Sequence, residues 1–228
     1  HFKRIEVSAN YLDLKFKLSQ DHLLYMILTL LDKNKIIHGT VRISMFRDSF
    51  GKYCPDFNTS SIYISSNKDI ISSFSKKSNC LKLGVYKENL KSYSNISNLK
   101  SLNSLLYVMA SKYALENNFD DVLLLNTKHQ IIETTNSNFF LLIKGIVYTP
   151  PLSDGCVDGS MRKLLIDIIN KEYNLKIQSI SNSQIEESEE IILSNAITGV
   201  RRVTSFENRT YSEEAFYNFL IKSLNELI

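Results

Sequence analysis

The hydrophobic pattern changes period several times along the chain, and those changes predict its elements. Residues 19–33 read as a helix. Three strand-like segments follow at 40–46, 60–64 and 81–86, rich in β-branched and aromatic residues. Ser/Asn/Lys-rich sequence separates them, and the pair Lys76-Lys77 reads as a solvated loop. Residues 1–87 therefore predict a small α/β lobe of mixed strands.

Residues 88–99 are polar, follow neither period and read as a linker between lobes. A helix is expected directly after it. Leu102, Leu105, Leu106, Met109 and Tyr113 fall at helical spacing and form one apolar face, which fades at Asn117-Asn118. Short strands are predicted at 122–126, 131–135, 138–143 and 147–149, then a helix over 160–173 opened by Gly159. A strand at 176–179, a short helix at 183–187, a strand at 190–195 and a last helix over 212–227 complete the second, strand-rich lobe, residues 100–228. The fold class is α/β (α+β) in two lobes.

Composition narrows the function classes. Apolar residues make up 43% and charged residues 22%, the balance of an ordinary globular protein. The net charge of +3 is spread without a Lys/Arg block, so no nucleic-acid partner is expected. The strongly apolar stretch from Leu23 to Leu31 is too short to cross a bilayer, so no membrane partner is expected either. Cys54, Cys80 and Cys156 are isolated, which fits a reducing, cytoplasmic compartment; with His1, His22, His38 and His129 equally scattered, no metal site is expected.

Four features carry candidate chemistry. Lys100 lies between the linker and the helix. Glu133 ends an apolar strand and precedes the small polar run Thr134-Thr135-Asn136-Ser137-Asn138. The loop Gly155 to Arg162 turns into a helix N-terminus. Ser194 to Gly199 is a small-residue turn after an apolar strand. Each has a plain structural reading: a solvated lysine, a surface carboxylate, a glycine connection. Together they offer an amine for a Schiff base, a carboxylate for a pyridine nitrogen and backbone donors for a phosphate.

The order and spacing of these residues resemble the class IV, fold-type IV enzymes that use pyridoxal 5'-phosphate (PLP). That family includes branched-chain and D-amino-acid aminotransferases and 4-amino-4-deoxychorismate lyases. The resemblance rests on Glu133, Asn138-Phe139-Phe140, Thr149-Pro150, Gly155, Gly159 and Arg162, with Lys100 placed 33 residues before Glu133. His1-Phe2-Lys3-Arg4 matches the family's His-x-x-Arg more weakly. The resemblance implies that Lys100 forms the Schiff base and shuttles protons, and that Glu133 pairs with the ring nitrogen. It implies that Arg4, Ser160, Met161, Asn195 and Ala196 hold the phosphate, and it brings Asn138 into the cofactor site. Arg47 and Arg42 lie where relatives contact the substrate carboxylate, although a surface role suits either equally. A homodimer is also implied.

Met161 stands where transaminases of the family carry a threonine whose hydroxyl helps hold the phosphate. Met161 and Asn195-Ala196 resemble the lyases instead. The expected activity is therefore release of pyruvate and 4-aminobenzoate, a folate precursor, with an amino-acid aminotransferase as the alternative. Relatives carry a further strand-rich segment before the point matching His1, so the N-terminal lobe is expected to be truncated. An incomplete or degenerate non-catalytic member is the third reading.

Overall fold

The computed structural model describes residues 1–68 and 81–227. Lys76-Lys77 and Cys80 lie outside them. The chain divides into two units, His1–Ser73 and Phe74–Ile228.

The first unit opens with α1 (Phe2–Tyr11), an unexpected helix that buries Ala9 completely. Phe2, Ile5 and Ala9 fall at helical spacing, a stripe too short to have been read as an element. The second helix, α2 (Gln20–Lys33), starts on Ser19, whose side chain accepts from the His22 N–H at 3.2 Å. Asp21 in its first turn and Lys33 in its last complement the helix dipole. β1 (Gly39–Arg47) and β2 (Ser60–Lys68) form an antiparallel two-stranded sheet, in register from Gly39 opposite Lys68 to Arg47 opposite Ser60.

The second unit contains β3 (Leu81–Lys91), α3 (Leu105–Glu116), β4 (Asp121–Asn126), β5 (Ile131–Thr134), β6 (Asn138–Ile143) and β7 (Ile146–Thr149). After a single 3-10 turn come α4 (Ser160–Ile169), β8 (Asn174–Ile177), α5 (Asn182–Glu187), β9 (Glu190–Asn195), β10 (Gly199–Phe206), β11 (Arg209–Thr210) and α6 (Ala215–Asn225). The strands join in the order β5-β4-β3-β10-β9-β6-β7-β8, with β11 on the side of β10. This mixed, curled sheet is the α/β architecture expected.

Several boundaries differ from the sequence reading: the helix expected over 160–173 ends at Ile169, the strand expected at 176–179 spans Asn174–Ile177, and the last helix spans Ala215–Asn225. β3 was assigned to the first lobe, but it lies between β4 and β10, parallel to both, and belongs to the second unit's sheet. It also runs on to Lys91, into the polar stretch read as linker. β10 was not anticipated, because the charged pair Arg201-Arg202 interrupts its apolar pattern.

β6 and β9 are buried along nearly their whole length because both sheet faces are covered. Phe139, Leu141, Ile191 and Leu193 join one core, while Phe140, Leu142 and Ile192 join another built with α4 and α6. The helix α3 packs differently from its pattern. Leu102, Leu105 and Met109 are exposed, whereas Ala110 and Ala114 are buried against Tyr86, Val122 and Leu124. The two alanines let the helix approach the sheet closely, and Leu106 and Tyr113 flank that contact. Among the described residues, no helix is long and apolar enough to cross a membrane. No group of three or more His, Cys, Asp or Glu is gathered among them for a metal.

Candidate active site

Glu133 is a buried carboxylate of the second unit that accepts from three donors. It lies on β5, beside Leu124 of β4, and is 3% exposed. Its Oε1 accepts from Lys91 Nζ at 2.7 Å and from the Tyr107 hydroxyl at 2.8 Å. Its Oε2 accepts from the Val157 N–H at 2.9 Å. Lys91 also donates to the Tyr107 hydroxyl at 2.8 Å and to the Ser97 carbonyl at 3.1 Å. Burial, then the neighbouring Glu133 charge, raise the Tyr107 hydroxyl far above the ordinary tyrosine range. Tyr107 therefore stays a proton donor to the carboxylate.

The sequence reading missed Lys91 and Tyr107. Lys91 sits in the run taken as linker, and Tyr107 was one more aromatic in an apolar helix. Only the β3–β4 pairing, which sets Lys91 opposite Asn126 beyond a register shift, brings the amine to Glu133.

The loop 155–159 ties the remaining features together. The Asp158 N–H donates to the Asn98 carbonyl at 3.0 Å, and the Asn98 side chain donates to the carbonyls of Leu152 and Cys156. This holds the segment leading to Lys100 against the loop that carries Val157. Lys100 itself is exposed, in the connection between β3 and α3. The Asn138 side chain, 7% exposed, donates to the Val157 carbonyl at 2.9 Å. Its Oδ1 lies so near Gly159 that a Cβ there would meet it at 2.1 Å. Any larger residue at that N-cap of α4 would have to push the Asn138 side chain aside.

Helix α4 starts without a side-chain cap. Ser160 lies half-buried at its start, and Met161 points into the core with Leu165 and Phe140. Arg162 is 4% exposed and donates to the Pro150 carbonyl at 2.7 Å, so this motif arginine braces the loop. Cys156, fully buried below the loop, has its thiol pushed up to about 12 by burial, against the lowering influence of Arg162.

Across the sheet, the Asn195 side chain closes its turn. Its Oδ1 accepts from the N–H groups of Ile197 and Thr198 at 2.9 and 2.8 Å, and its amide donates to Ser137 at 3.1 Å. Ala196, next in the turn, is exposed. Arg201 reaches Asn136 and Ser137 at 3.1 and 3.2 Å and lies 3.7 Å from buried Asp121. Asp121 in turn accepts from the hydroxyls of Thr134 and Thr135. The polar run after Glu133 and the turn after β9 are thus one network.

In the first unit, Arg4 lies on α1. Arg47 donates to the Leu12 carbonyl at 2.7 Å and to Asn58. Arg42 is exposed on the opposite face of β1, because the two are an odd number of residues apart in one strand. They therefore cannot grip one group together from that strand.

The model of the class IV amino-transferases matches residues 1–206. The chain belongs to that family. Its enzymes are PLP-dependent, and the cofactor of this protein is pyridoxal 5'-phosphate. The second unit fits it: a buried, hydrogen-bonded carboxylate for the ring nitrogen and an uncapped helix start for the phosphate. Among its relatives, D-alanine aminotransferase of Staphylococcus epidermidis is 23% identical over 222 residues, covering 93% of this chain and 75% of that one. Aminodeoxychorismate lyase of Vibrio harveyi is 26% identical over 125 residues, 54% of this chain and 46% of that one. A solved structure from Legionella pneumophila, described as a candidate 4-amino-4-deoxychorismate lyase, superposes with a TM-score of 0.91 at 26% identity. It covers 99% of this chain and 84% of its own. The branched-chain aminotransferase of Escherichia coli has the same fold, with a TM-score of 0.83 at 18% identity.

Proposed function

We propose that this enzyme is a 4-amino-4-deoxychorismate lyase, releasing 4-aminobenzoate and pyruvate. The observation that carries the reading is Met161. It is turned into the core with Leu165 and Phe140, so the first turn of α4 offers no side-chain hydroxyl at that position. Transaminases of the family are expected to have one there. The likeness to the Legionella structure and to the Vibrio lyase supports the same reading.

In this reading PLP supplies an electron sink for the bond-breaking step. Lys100 holds the cofactor and then acts as the base that takes the proton from the amine-bearing ring carbon of the substrate. The C–O bond to the enolpyruvyl group breaks as the ring becomes aromatic, and the released enol takes a proton to give pyruvate. Glu133 would pair with the ring nitrogen and keep the ring protonated. Lys91, at hydrogen-bond distance from Glu133, therefore belongs to the ring-nitrogen end and is no substitute for Lys100. Ser160, Met161, Asn195 and Ala196 would contribute to the phosphate side, with Asn138 bracing the loop. The working enzyme is a homodimer.

The second reading, an amino-acid aminotransferase, is favoured by the breadth of the likeness to D-alanine aminotransferase, which spans 93% of the chain. The deciding experiment supplies 4-amino-4-deoxychorismate to the PLP-loaded protein with no keto acid present. Pyruvate and 4-aminobenzoate in equal amounts over many turnovers support the lyase. Amino transfer from D-alanine or a branched-chain amino acid to 2-oxoglutarate, with no pyruvate formed from aminodeoxychorismate, would overturn it.

A further inference from the structure

Ser194 is 2% exposed, and its hydroxyl has no hydrogen-bond partner. A buried hydroxyl without a partner costs stability, so its retention calls for a reason. Its place in the sheet supplies one. Ser194 lies directly opposite Asn138 of β6 and Val200 of β10, and directly opposed residues of antiparallel strands share a face. On that face Phe140, Ile192 and Val200 pack with Met161 and Leu165 of α4. The same face carries Asn138, whose Oδ1 abuts Gly159, the N-cap of α4. Ser194 therefore lies beneath the start of a ten-residue helix whose N-cap supplies no side-chain bond.

A helix start draws anions through its unpaired N–H groups and the positive end of its dipole. Met161 brings no hydroxyl to that anion. The neighbouring acid, Asp158, is ion-paired to Lys163 at 2.6 Å, which offsets its charge. We propose that Ser194 donates its hydroxyl to the cofactor phosphate, replacing from β9 the side-chain bond that position 161 does not make. This rests on the assignment of the phosphate to the first turn of α4. Ser194 is then a binding residue for the phosphate and takes no part in proton transfer.

The test compares PLP with pyridoxal, the same molecule lacking the phosphate, by equilibrium binding to the apo-protein of wild type and Ser194→Ala. Loss of one hydrogen bond to a charged group should weaken PLP binding roughly tenfold or more. Pyridoxal binding should stay within about twofold. The melting temperature of the apo-protein should hold or rise, because the substitution deletes an unpaired buried hydroxyl. Met161→Thr, added to Ser194→Ala, should recover PLP affinity by returning a hydroxyl to the helix. Equal weakening of PLP and pyridoxal, or unchanged PLP affinity, would overturn the proposal for Ser194. Wild-type protein that binds neither ligand would overturn the cofactor site itself, a distinct failure.

Discussion

Replacing Lys91 with methionine keeps a long unbranched side chain and removes its charge, leaving Glu133 buried with two partners instead of three. The pair is well enclosed: the Lys91 side chain is 11% exposed and Glu133 only 3%. Removing one member of such a pair costs about 3–5 kcal/mol, because the charge left behind cannot be rehydrated. The hydrogen bonds from Tyr107 and Val157 remain, so the expected loss lies at the low end, about 3 kcal/mol. Glu133→Gln should cost a comparable amount, since it strands the lysine. The double variant, with no charge left to bury unpaired, should be destabilised by much less than the sum of the two. Urea unfolding of the apo-proteins, followed by circular dichroism and analysed as a double-mutant cycle, measures this directly. A coupling of at least 1.5 kcal/mol or so is expected. If the two losses simply add, within about 0.5 kcal/mol, the ion pair does not hold the site together and the reasoning fails.

Three further outcomes follow from the geometry. Cys156, with its thiol raised to about 12, should resist alkylation at pH 8 in the native protein while exposed Cys54 reacts; peptide mass spectrometry showing both labelled at one rate would contradict this. Gly159→Ala should push the Asn138 side chain off the Val157 carbonyl and weaken PLP binding roughly tenfold or more, read by equilibrium binding; unchanged affinity would mean that the loop tolerates the shift. Glu190, the first residue of β9, reaches the start of α6 and is held above its ordinary acidity range by burial, against the hydrogen bonds it accepts from the N–H groups of Phe216 and Tyr217. A carboxyl raised on folding binds more protons in the native state, so its contribution to stability falls as pH rises from its unfolded to its folded value. Glu190→Gln should remove that fall, and unfolding midpoints from pH 4 to 8 that differ from wild type by a constant offset would refute it.

How much was legible depended on whether the signal was local. β6 and β9 were readable because strands covered on both faces leave continuous apolar runs, and α4 because Gly159 precedes an amphipathic stretch. The exposed stripe of α3 misled, since Leu102 and Leu105 lie outward while two alanines make the close contact. Glu133 announced itself by ending an apolar strand within a recognisable motif. Lys91 could not, because its role depends on a register shift in β3 that nothing nearby in sequence marks. Ser194 looked like one of several small residues, and only its opposition to Asn138 across β6 gives it a direction.

The placement of β3 between β4 and β10 also bears on how the chain is made. Leu81 pairs with Val203, so one edge of β3 stays open until a strand far downstream has left the ribosome. β6 waits likewise for β9 on one side. At about 5–20 residues per second, the apolar segments LKLGVY of β3 and NFFLLI of β6 spend several seconds as nascent sheet with unsatisfied edges. Chains halted before β9 would present those edges to one another, and aggregation during synthesis, more than instability of the finished fold, would then limit the yield of soluble enzyme.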